Sequence, residues 1–413
     1  MDELEKDRKI LRELAARIAE IAALPVQEEK RRLWSRLNSL EPERPMVCID
    51  QVCWNEMNYD GSLTLLCSNA ECRKYEEAFR RTLFQWKNFP VDLVVEPFIK
   101  VEKAIRNTMF GMSVEEHTLA TDKTNSVLSH KFVNQFTSVD DVMNKVKMPE
   151  VSHDAAETKR RMDFASWLFD GILPLHEYGY EPYLSIWDPI SRWMSVEGAL
   201  YGLADNPDMM HALVKRMADG YMIMLDQMEE QGLLCHHQAL VAFTGAFTDE
   251  LPASGFDPKK PRTKDVWGRG QAQMFVSVSP AMLEEFEINN IIPLYDRFGL
   301  TYYGCCEPLD ERIHLLRKIP HLRKISMSPW AKRERGAESM GGDFVFSNKP
   351  NPAFLAGSSF NEDLVRKDLE TTRDICKRYG CPLEFIFKDI STMSGDPRRL
   401  KQEAEIAMKI VQE

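Results

Sequence analysis

Apolar residues recur with a helical period along most of this chain, and short continuous apolar runs interrupt that period. The period predicts two N-terminal helices, over residues 2–24 and Glu28–Leu40. It predicts six more: Ala70–Asn88, Ala155–Leu173, Met194–Gln231, Pro280–Phe298, Asp310–Ile319 and Glu362–Tyr379. The short runs are rich in Val, Ile, Leu and Phe and predict eight strands: Met46–Val52, Val91–Glu96, Pro182–Trp187, Ala239–Phe243, Leu300–Tyr303, Arg323–Met327, Asp343–Ser347 (alternatively Phe354–Ala356) and Leu383–Lys388.

This alternation of strands and helices predicts an α/β fold, specifically a (β/α)8 TIM-type barrel. Residues 1–45 would form an N-terminal helical extension and residues 46–413 the barrel, with an insertion over roughly residues 100–180 after the second strand. The apolar face of the extension would pack on the barrel or on a second subunit, so a homodimer is possible. Ser279-Pro280 and Asn361 indicate helix starts, and Gly380 indicates a helix end.

Two adjacent cysteines and a glutamate follow the fifth predicted strand, in the run Leu300–Pro308. In a (β/α)8 barrel the residues just after the strands line one pocket. Cys305, Cys306 and Glu307 are therefore candidates for metal binding, nucleophilic attack or proton transfer. The competing interpretation is a cysteine that merely packs in the core, because free cysteine is among the most buried residue types.

Other predicted strand ends add acidic, amino and aromatic side chains to the same pocket. Candidate catalytic acids are Glu56, Glu96 and Asp188, and candidate substrate-binding residues are Trp54, Trp187, Tyr303, Trp330, Lys349, Lys388 and Asp389. The aromatic side chains would suit a flat substrate, or they belong to the core. Glu56 and Glu96 could instead pair with lysines on a solvated rim, and Asp188 and Asp389 could cap turns or helices.

Charge and cysteine usage limit the partners and the compartment. The 413 residues carry a formal net charge of −11 and no basic tract, which argues against nucleic acid and anionic membranes as partners. The sequence contains no run of about 18 apolar residues, so we expect no membrane span. Met1–Arg8 is charged and lacks the apolar core of a signal peptide, so we expect none. Nine cysteines without zinc-finger spacing predict a reduced, cytoplasmic protein.

Several motifs resemble the uroporphyrinogen decarboxylase superfamily. The main ones are Tyr302-Tyr-Gly-Cys-Cys-Glu-Pro-Leu-Asp-Glu-Arg312 and Ile319-Pro-His-Leu-Arg-Lys-Ile-Ser-Met-Ser-Pro-Trp330. Supporting runs are Phe247–Pro252, Val276–Phe286 and Asn348-Lys-Pro-Asn-Pro352. The resemblance covers about residues 45–410 and implies a TIM-type barrel, often a homodimer. It implies one of two activities: decarboxylation of tetrapyrrole acetate groups without a cofactor, or methyl transfer to or from a corrinoid protein.

Departures from the motifs of that superfamily separate these activities. True decarboxylases carry an arginine-rich loop after the first strand, whereas Val52–Asn58 contains no arginine to pair with substrate carboxylates. The thiol-methylating branch carries a His-x-Cys and a later cysteine that hold zinc. Here Tyr303 or Gly304 stands at the histidine position, and Ser391–Ser394 contains no cysteine. The resemblance thus implies the methyl-donor side, a corrinoid-dependent demethylase acting on a small, possibly methoxylated aromatic, substrate.

Such a reaction needs an acid or a Lewis acid at the leaving oxygen. Glu307, Glu56, Glu96 or Asp188 would be the acid, or one cysteine with Glu307 would hold Zn²⁺. Lys349 and Lys388 would orient a substrate carboxylate. The chain has no Asp-x-His-x-x-Gly corrinoid motif, so the cobalamin would arrive on a separate corrinoid protein. A cofactor-independent decarboxylase or lyase and a non-catalytic binding barrel stay open as alternatives.

Overall fold

The protein has an α/β fold, seen in a computed structural model that describes residues 3–119 and 129–413. The helices are α1 Glu3–Ala22, α2 Pro25–Asn38, α3 Trp54–Met57, α4 Ala70–Asn88, α5 Val139–Lys145, α6 Ala155–Phe169, α7 Trp187–Met194, α8 Val196–Asp205, α9 Pro207–Glu230, α10 Pro280–Leu283, α11 Asn289–Tyr295, α12 Ile313–Leu316, α13 Arg333–Met340, α14 Ala353–Ala356, α15 Glu362–Tyr379 and α16 Arg398–Gln412. The strands are β1 Met46–Ile49, β2 Ile99–Glu102, β3 Ile105–Asn107, β4 Glu116–Leu119, β5 Ser129–Phe132, β6 Val151–His153, β7 Leu175–Tyr178, β8 Leu240–Val241, β9 Thr244–Gly245, β10 Trp267–Gly270, β11 Leu300–Tyr303, β12 Leu322–Met327, β13 Val345–Asn348 and β14 Leu383–Phe387.

Six parallel strands form the central sheet, in the order β1-β14-β13-β12-β11-β10. The first strand of the sheet lies beside the last, with Met46 opposite Glu384 and Ile49 opposite Phe387. All six strands run in the same direction, so their carboxyl ends form one edge of the sheet. The residues that follow them, among them Asp50, Cys305, Lys349 and Lys388, are therefore brought together.

The ladder of this sheet does not close into a barrel within residues 3–119 and 129–413. The predicted second and third strands, Val91–Glu96 and Pro182–Trp187, form no regular strand and make only isolated contacts to the sheet edges, and Trp187 already begins α7. The Asp92 amide donates to the Val47 carbonyl at 3.0 Å, and the Leu184 amide donates to the Arg269 carbonyl at 2.9 Å. The regular pairing of this part of the chain lies elsewhere, between β2 and β7.

The prediction of Ala239–Phe243 as the fourth strand is wrong. That segment contributes to the β8–β9 hairpin, which turns at Ala242 and Phe243, and the strand that pairs with β11 in the sheet is β10. The Thr244 hydroxyl donates to Glu384 at 2.7 Å, which fixes the hairpin against β14. Phe354–Ala356, the alternative seventh strand, lies in helix α14, whereas β13 confirms the first choice.

Capping signals predicted several helix ends correctly. Helices α4 and α15 have the predicted bounds, and the Asn361 side chain accepts a hydrogen bond from the Leu364 amide. Gly380 ends α15 with a φ of 71°, a left-handed conformation that favours glycine. The predicted helix Met194–Gln231 is two helices, because Asn206-Pro207 begins a new one. The predicted helix Pro280–Phe298 contains a π-helical turn at Glu284–Ile288.

The two N-terminal helices pack on the rest of the same chain. Leu11, Leu14 and Ile18 of α1 share an apolar cluster with Phe79 of α4 and Phe169 of α6. The indole nitrogen of Trp34 in α2 donates to the Asp92 carbonyl at 2.9 Å. The boundary at residue 45 and the dimer stay predictions. Within the described part of the chain, no helix combines the length and the apolar character that a bilayer crossing requires.

Candidate active site

A thiol–lysine cluster lies where β11 and β14 end. The ammonium of Lys388 is 3.0 Å from Cys305 Sγ, 3.5 Å from Cys306 Sγ and 3.2 Å from Asp389 Oδ1. The two sulfur atoms are 3.4 Å apart and Cys306 Sγ is 3.1 Å from Asp389 Oδ2, so the one thiol proton of Cys306 can be donated to either Cys305 or Asp389. Cys305, Cys306, Lys388 and Asp389, all predicted site residues, are thus in direct contact.

The backbone before the cysteines is a tight turn that only glycine fits. Gly304 has a φ of +99°, and a Cβ there would stand 2.5 Å from Leu309 Cδ1 and 2.9 Å from Ser326 Cβ. Its amide donates to the Gly270 carbonyl at 2.9 Å, which ties the end of β11 to the end of β10. The turn therefore directs the Cys305 side chain towards Lys388 while the Cys305 carbonyl accepts from the Ser326 hydroxyl.

The pKa values of the two thiols are shifted in opposite directions. The hydrogen bond from Cys306 lowers the pKa of Cys305, assisted by the charges of Lys388 and Lys349 and opposed by burial. The same hydrogen bond, together with burial, raises the pKa of Cys306. The pair therefore shares one thiolate, which lies on Cys305 and is hydrogen-bonded by one neutral thiol and one ammonium.

The pKa values of the two lysines of the site are also shifted in opposite directions. Burial and the charge of Lys388 lower the pKa of Lys349 to about 8. Burial also acts against the charged form of Lys388, but the Cys305 thiolate beside it raises its pKa overall. Lys349 donates to the Tyr302 hydroxyl at 2.8 Å and to the Ser326 hydroxyl. Lys388 is therefore a fixed charge, whereas Lys349 exchanges its proton near neutral pH.

Three groups of the site were not among the predicted residues. Asp50 follows β1, and burial raises its pKa to about 6 against the lowering influence of Lys388, Arg269 and Lys349. Arg269 lies in β10, with its guanidinium 4.2 Å from the Tyr183 ring centroid. The ring centroid of Phe243 is 4.0 Å from the Lys388 ammonium, 5.6 Å from that of Lys349 and 5.7 Å from the Arg269 guanidinium. The hairpin thus places one aromatic ring beneath three cations.

Glu307 supports the loop rather than facing the thiols. Its carboxylate accepts from the Cys305 amide at 2.9 Å and the Ala272 amide at 3.4 Å, and its side chain is buried. Burial raises its pKa, against the lowering effect of these backbone hydrogen bonds. Its role as an acid or a metal ligand stays a prediction.

Trp187 and Tyr303 meet outside the cluster, at a buried acid. The Trp187 indole and the Tyr303 hydroxyl each donate at 3.0 Å to Glu287, in the π-helical turn after α10. Burial raises the pKa of Glu287 to about 8, although these two hydrogen bonds lower it. The structure therefore does not bring Trp187 or Tyr303 to the ring of Phe243.

The other predicted residues lie around the edge or away from it. Glu56 accepts from the Thr392 hydroxyl at 2.6 Å and from the Met393 and Gly395 amides, so it holds the loop after β14. Trp54 packs edge-on against Phe84 at 6.0 Å. Trp330 is 72% exposed.

Asp188 and Glu96 lie on opposite sides of the molecule. Asp188 accepts from Gln271 at 3.1 Å and from the Tyr183 hydroxyl, next to the carboxyl end of β10. Glu96 lies 3.5 Å from Arg31 and lines a cleft with Asp265 and Trp267, where β10 begins. Glu96 is thus at the amino end of the strands, whereas Asp188 is at their carboxyl end.

The residues predicted to hold zinc are not arranged as a ligand set. The Lys388 ammonium lies against both sulfur atoms, and Glu307 is bound to backbone amides. Across residues 3–119 and 129–413, no three His, Cys, Asp or Glu side chains are placed to hold one metal ion. The site as built fits a thiolate–ammonium pair and does not fit zinc.

Comparison with known proteins gives a fold likeness. The sequence matches no protein-family profile and no curated protein. A solved structure of a methyltransferase from Methanosarcina mazei superposes with a TM-score of 0.50, covering 92% of this chain and 97% of that chain at 11% identity. At that identity the likeness describes the arrangement of strands and helices over nearly the whole chain, and nothing about shared site residues.

Proposed function

We propose that this chain is a methyltransferase that removes a methyl group from a small, possibly methoxylated aromatic, substrate and delivers it to the cobalamin of a separate corrinoid protein. The observation that carries the proposal is the pair of lysines at the carboxyl edge of the sheet, of which Lys388 contacts the Cys305 thiol and Lys349 donates to the Tyr302 and Ser326 hydroxyls. The superfamily motifs around Cys305 and the fold likeness to a methyltransferase support it. We further propose that the six parallel strands and the two edge segments are a distorted (β/α)8 barrel.

The leaving oxygen of a methyl ether must receive a proton or a balancing charge as the carbon–oxygen bond breaks. Lys349 supplies the proton, because a pKa of about 8 keeps it charged at pH 7 yet able to donate. Lys388 supplies the fixed positive charge, because its thiolate partner keeps it protonated. Asp50 is the second titrating group and can take up a proton between turnovers. Phe243 offers a ring face for an aromatic substrate.

A reduced corrinoid, held by the partner, supplies the nucleophile for the methyl carbon. This chain must leave its site accessible to the partner protein. The Asp389 side chain is 43% exposed and Cys306 is partly exposed, so the cluster opens towards solvent at the edge of the sheet. The methyl group of a bound substrate would be presented on that side, within reach of a second protein.

Methyl transfer is tested with the reduced free corrinoid, which replaces the partner protein. The wild type is mixed with cob(I)alamin and a panel of methoxylated benzoates, and methylcobalamin is followed by its absorbance. Lys349→Met should lower the rate at least about 100-fold, the usual contribution of a positioned acid. Lys401→Met, which removes a lysine paired with Glu405 on the surface, is the matched control. Methyl transfer that survives Lys349→Met would contradict the assigned acid.

A cofactor-independent decarboxylase is the second candidate, and one observation favours it. Arg269, Lys349 and Lys388 surround Phe243, a grouping that suits a carboxylate-bearing substrate. Release of carbon dioxide from an aromatic acid without any corrinoid, with no methyl transfer, would establish this alternative. Zinc stays a separate prediction: about one zinc per chain that is lost in Cys305→Ser would show that Lys388 gives way to a metal.

A further inference from the structure

We infer that Cys305 and Cys306 form a reversible oxidation site, at which a peroxide converts the neighbouring thiols into a disulfide between adjacent residues. The inference does not depend on which reaction the site catalyses. It rests on the contacts of the two sulfur atoms and on the position of the buried Cys305 beside the partly exposed Cys306, along which a molecule as small as hydrogen peroxide would enter.

The sulfur atoms are already close, and each has the partner that its step requires. Their separation of 3.4 Å must shorten to the disulfide length of about 2.05 Å, which the side chains and the local backbone of the turn must accommodate together. The ammonium of Lys388, at 3.0 Å, stabilises Cys305 as the thiolate that reacts with an oxidant. The carboxylate of Asp389 lies 3.1 Å from Cys306 Sγ and can receive its proton.

The two steps balance with one peroxide. The Cys305 thiolate attacks a peroxide oxygen, so a sulfur–oxygen bond forms, the oxygen–oxygen bond breaks and hydroxide leaves. Cys306 then passes its proton to Asp389 and attacks Cys305, forming the sulfur–sulfur bond and expelling the oxygen as hydroxide. After protonation the peroxide has become two waters, and the two cysteines together have lost two electrons.

Geometry predicts that this disulfide is easily reduced. Adjacent Cα atoms are about 3.8 Å apart across a trans peptide, below the range of about 4.4–6.8 Å that disulfides usually span. The bridge is therefore strained, and strained bridges have the high reduction potentials of labile disulfides. Its formation also removes the thiolate that holds Lys388 in place.

The test is thiol counting with peptide mapping on the full chain. The fully reduced protein should present nine thiols under denaturing conditions, seven after brief treatment with hydrogen peroxide and nine again after incubation with glutathione. The peptide that contains Cys305 and Cys306 should lose two hydrogen atoms and resist alkylation. Retention of all nine thiols, or a disulfide mapped to another pair, would overturn the inference.

Two variants separate the steps. In Cys306→Ser the reaction should stop at a sulfenic acid on Cys305, which a cyclic 1,3-dione traps. Cys381→Ser is the control, because it removes a thiol that donates to the Ala337 carbonyl at 3.2 Å, away from the cluster, and it should still lose two thiols. Oxygen gain on Cys305 in the wild type without a sulfur–sulfur bond would refute the second step. The wild-type mapping decides the question even if a variant fails to fold.

Discussion

Replacing Lys388 with methionine tests the electrostatic account of the site. The substitution keeps most of the volume of the side chain but removes an ammonium 3.0 Å from Cys305 Sγ. A hydrogen bond to a charged group contributes about 1.5–3 kcal/mol. One pKa unit corresponds to about 1.4 kcal/mol, so the pKa of Cys305 should rise by about 1–2 units. With the pKa of Cys305 lowered to about 7, about half of it is thiolate at pH 7, and that fraction should fall about 5- to 50-fold.

The assay is the rate of alkylation of Cys305 by iodoacetamide as a function of pH, read at the peptide level. Only the thiolate reacts, so the midpoint of the rate profile reports the pKa of Cys305. The wild-type midpoint should lie below the ordinary value of about 8.5, and Lys388→Met should move it up. Burial raises the pKa of Cys235 to about 11, so its slow reaction in the same digest serves as an internal reference.

Lys401→Met is the matched control for this experiment, because that lysine pairs with Glu405 on the surface of α16. Its rate profile should coincide with that of the wild type. Superimposable profiles for the wild type and Lys388→Met would refute the reasoning, because they would show that the ammonium does not stabilise the thiolate. A profile shifted to lower pH would refute it as well.

Two further predictions concern stability. Burial raises the pKa of Glu287 to about 8 in the folded protein, against about 4.3 in the unfolded chain. Between these two pH values the folded state keeps a proton that the unfolded state has lost. The free energy of unfolding should therefore fall as the pH rises from about 4.3 to about 8, by up to about 1.4 kcal/mol per pH unit. Glu287→Gln still pairs with Trp187 and Tyr303 and should flatten that slope in urea unfolding between pH 5 and pH 8; parallel slopes for the two proteins would contradict the prediction. Asp92→Ala leaves the Arg44 guanidinium and the Val47 amide without their carboxylate partner. It should lower the free energy of unfolding by about 3 kcal/mol in the same experiment, and a loss under about 1 kcal/mol would contradict this prediction.

The sequence predicted the elements whose local signals are strong. Helix α4 begins at Asn69, whose side chain accepts from two backbone amides, and α15 runs from Asn361 to Gly380, so both have caps that can be read directly. Strands β11 to β14 are buried apolar runs and were predicted within two residues at each end. The meeting of Cys305 with Lys388 follows from the parallel order of these strands.

The remaining parts of the site depend on tertiary structure. β10 reads Trp-Gly-Arg-Gly, which has no β-branched residue, and its glycines are needed because a Cβ at Gly268 would stand 2.4 Å from Phe298. Arg269 was therefore missed along with its strand. Asp50 was missed because the first strand was predicted to continue to Val52, although it ends at Ile49. Nothing in the apolar segment Ala239–Phe243 indicates that it folds as a hairpin beneath the lysines.

The β8–β9 hairpin explains how the sheet can carry three buried lysines, Lys324, Lys349 and Lys388. Lys324 and Glu384 form a fully buried ion pair at 2.8 Å, and the Lys324 ammonium is satisfied further by the Thr244 hydroxyl and the Gly245 carbonyl of the hairpin. Phe243, one residue before Thr244, faces the other way along the sheet and lies under Lys388. The hairpin thus separates a permanently paired lysine from the lysines at the carboxyl edge. This separation leaves Lys349 without a carboxylate hydrogen-bond partner among the described contacts. Because a buried charge without such a partner is destabilised, the pKa of Lys349 is lowered.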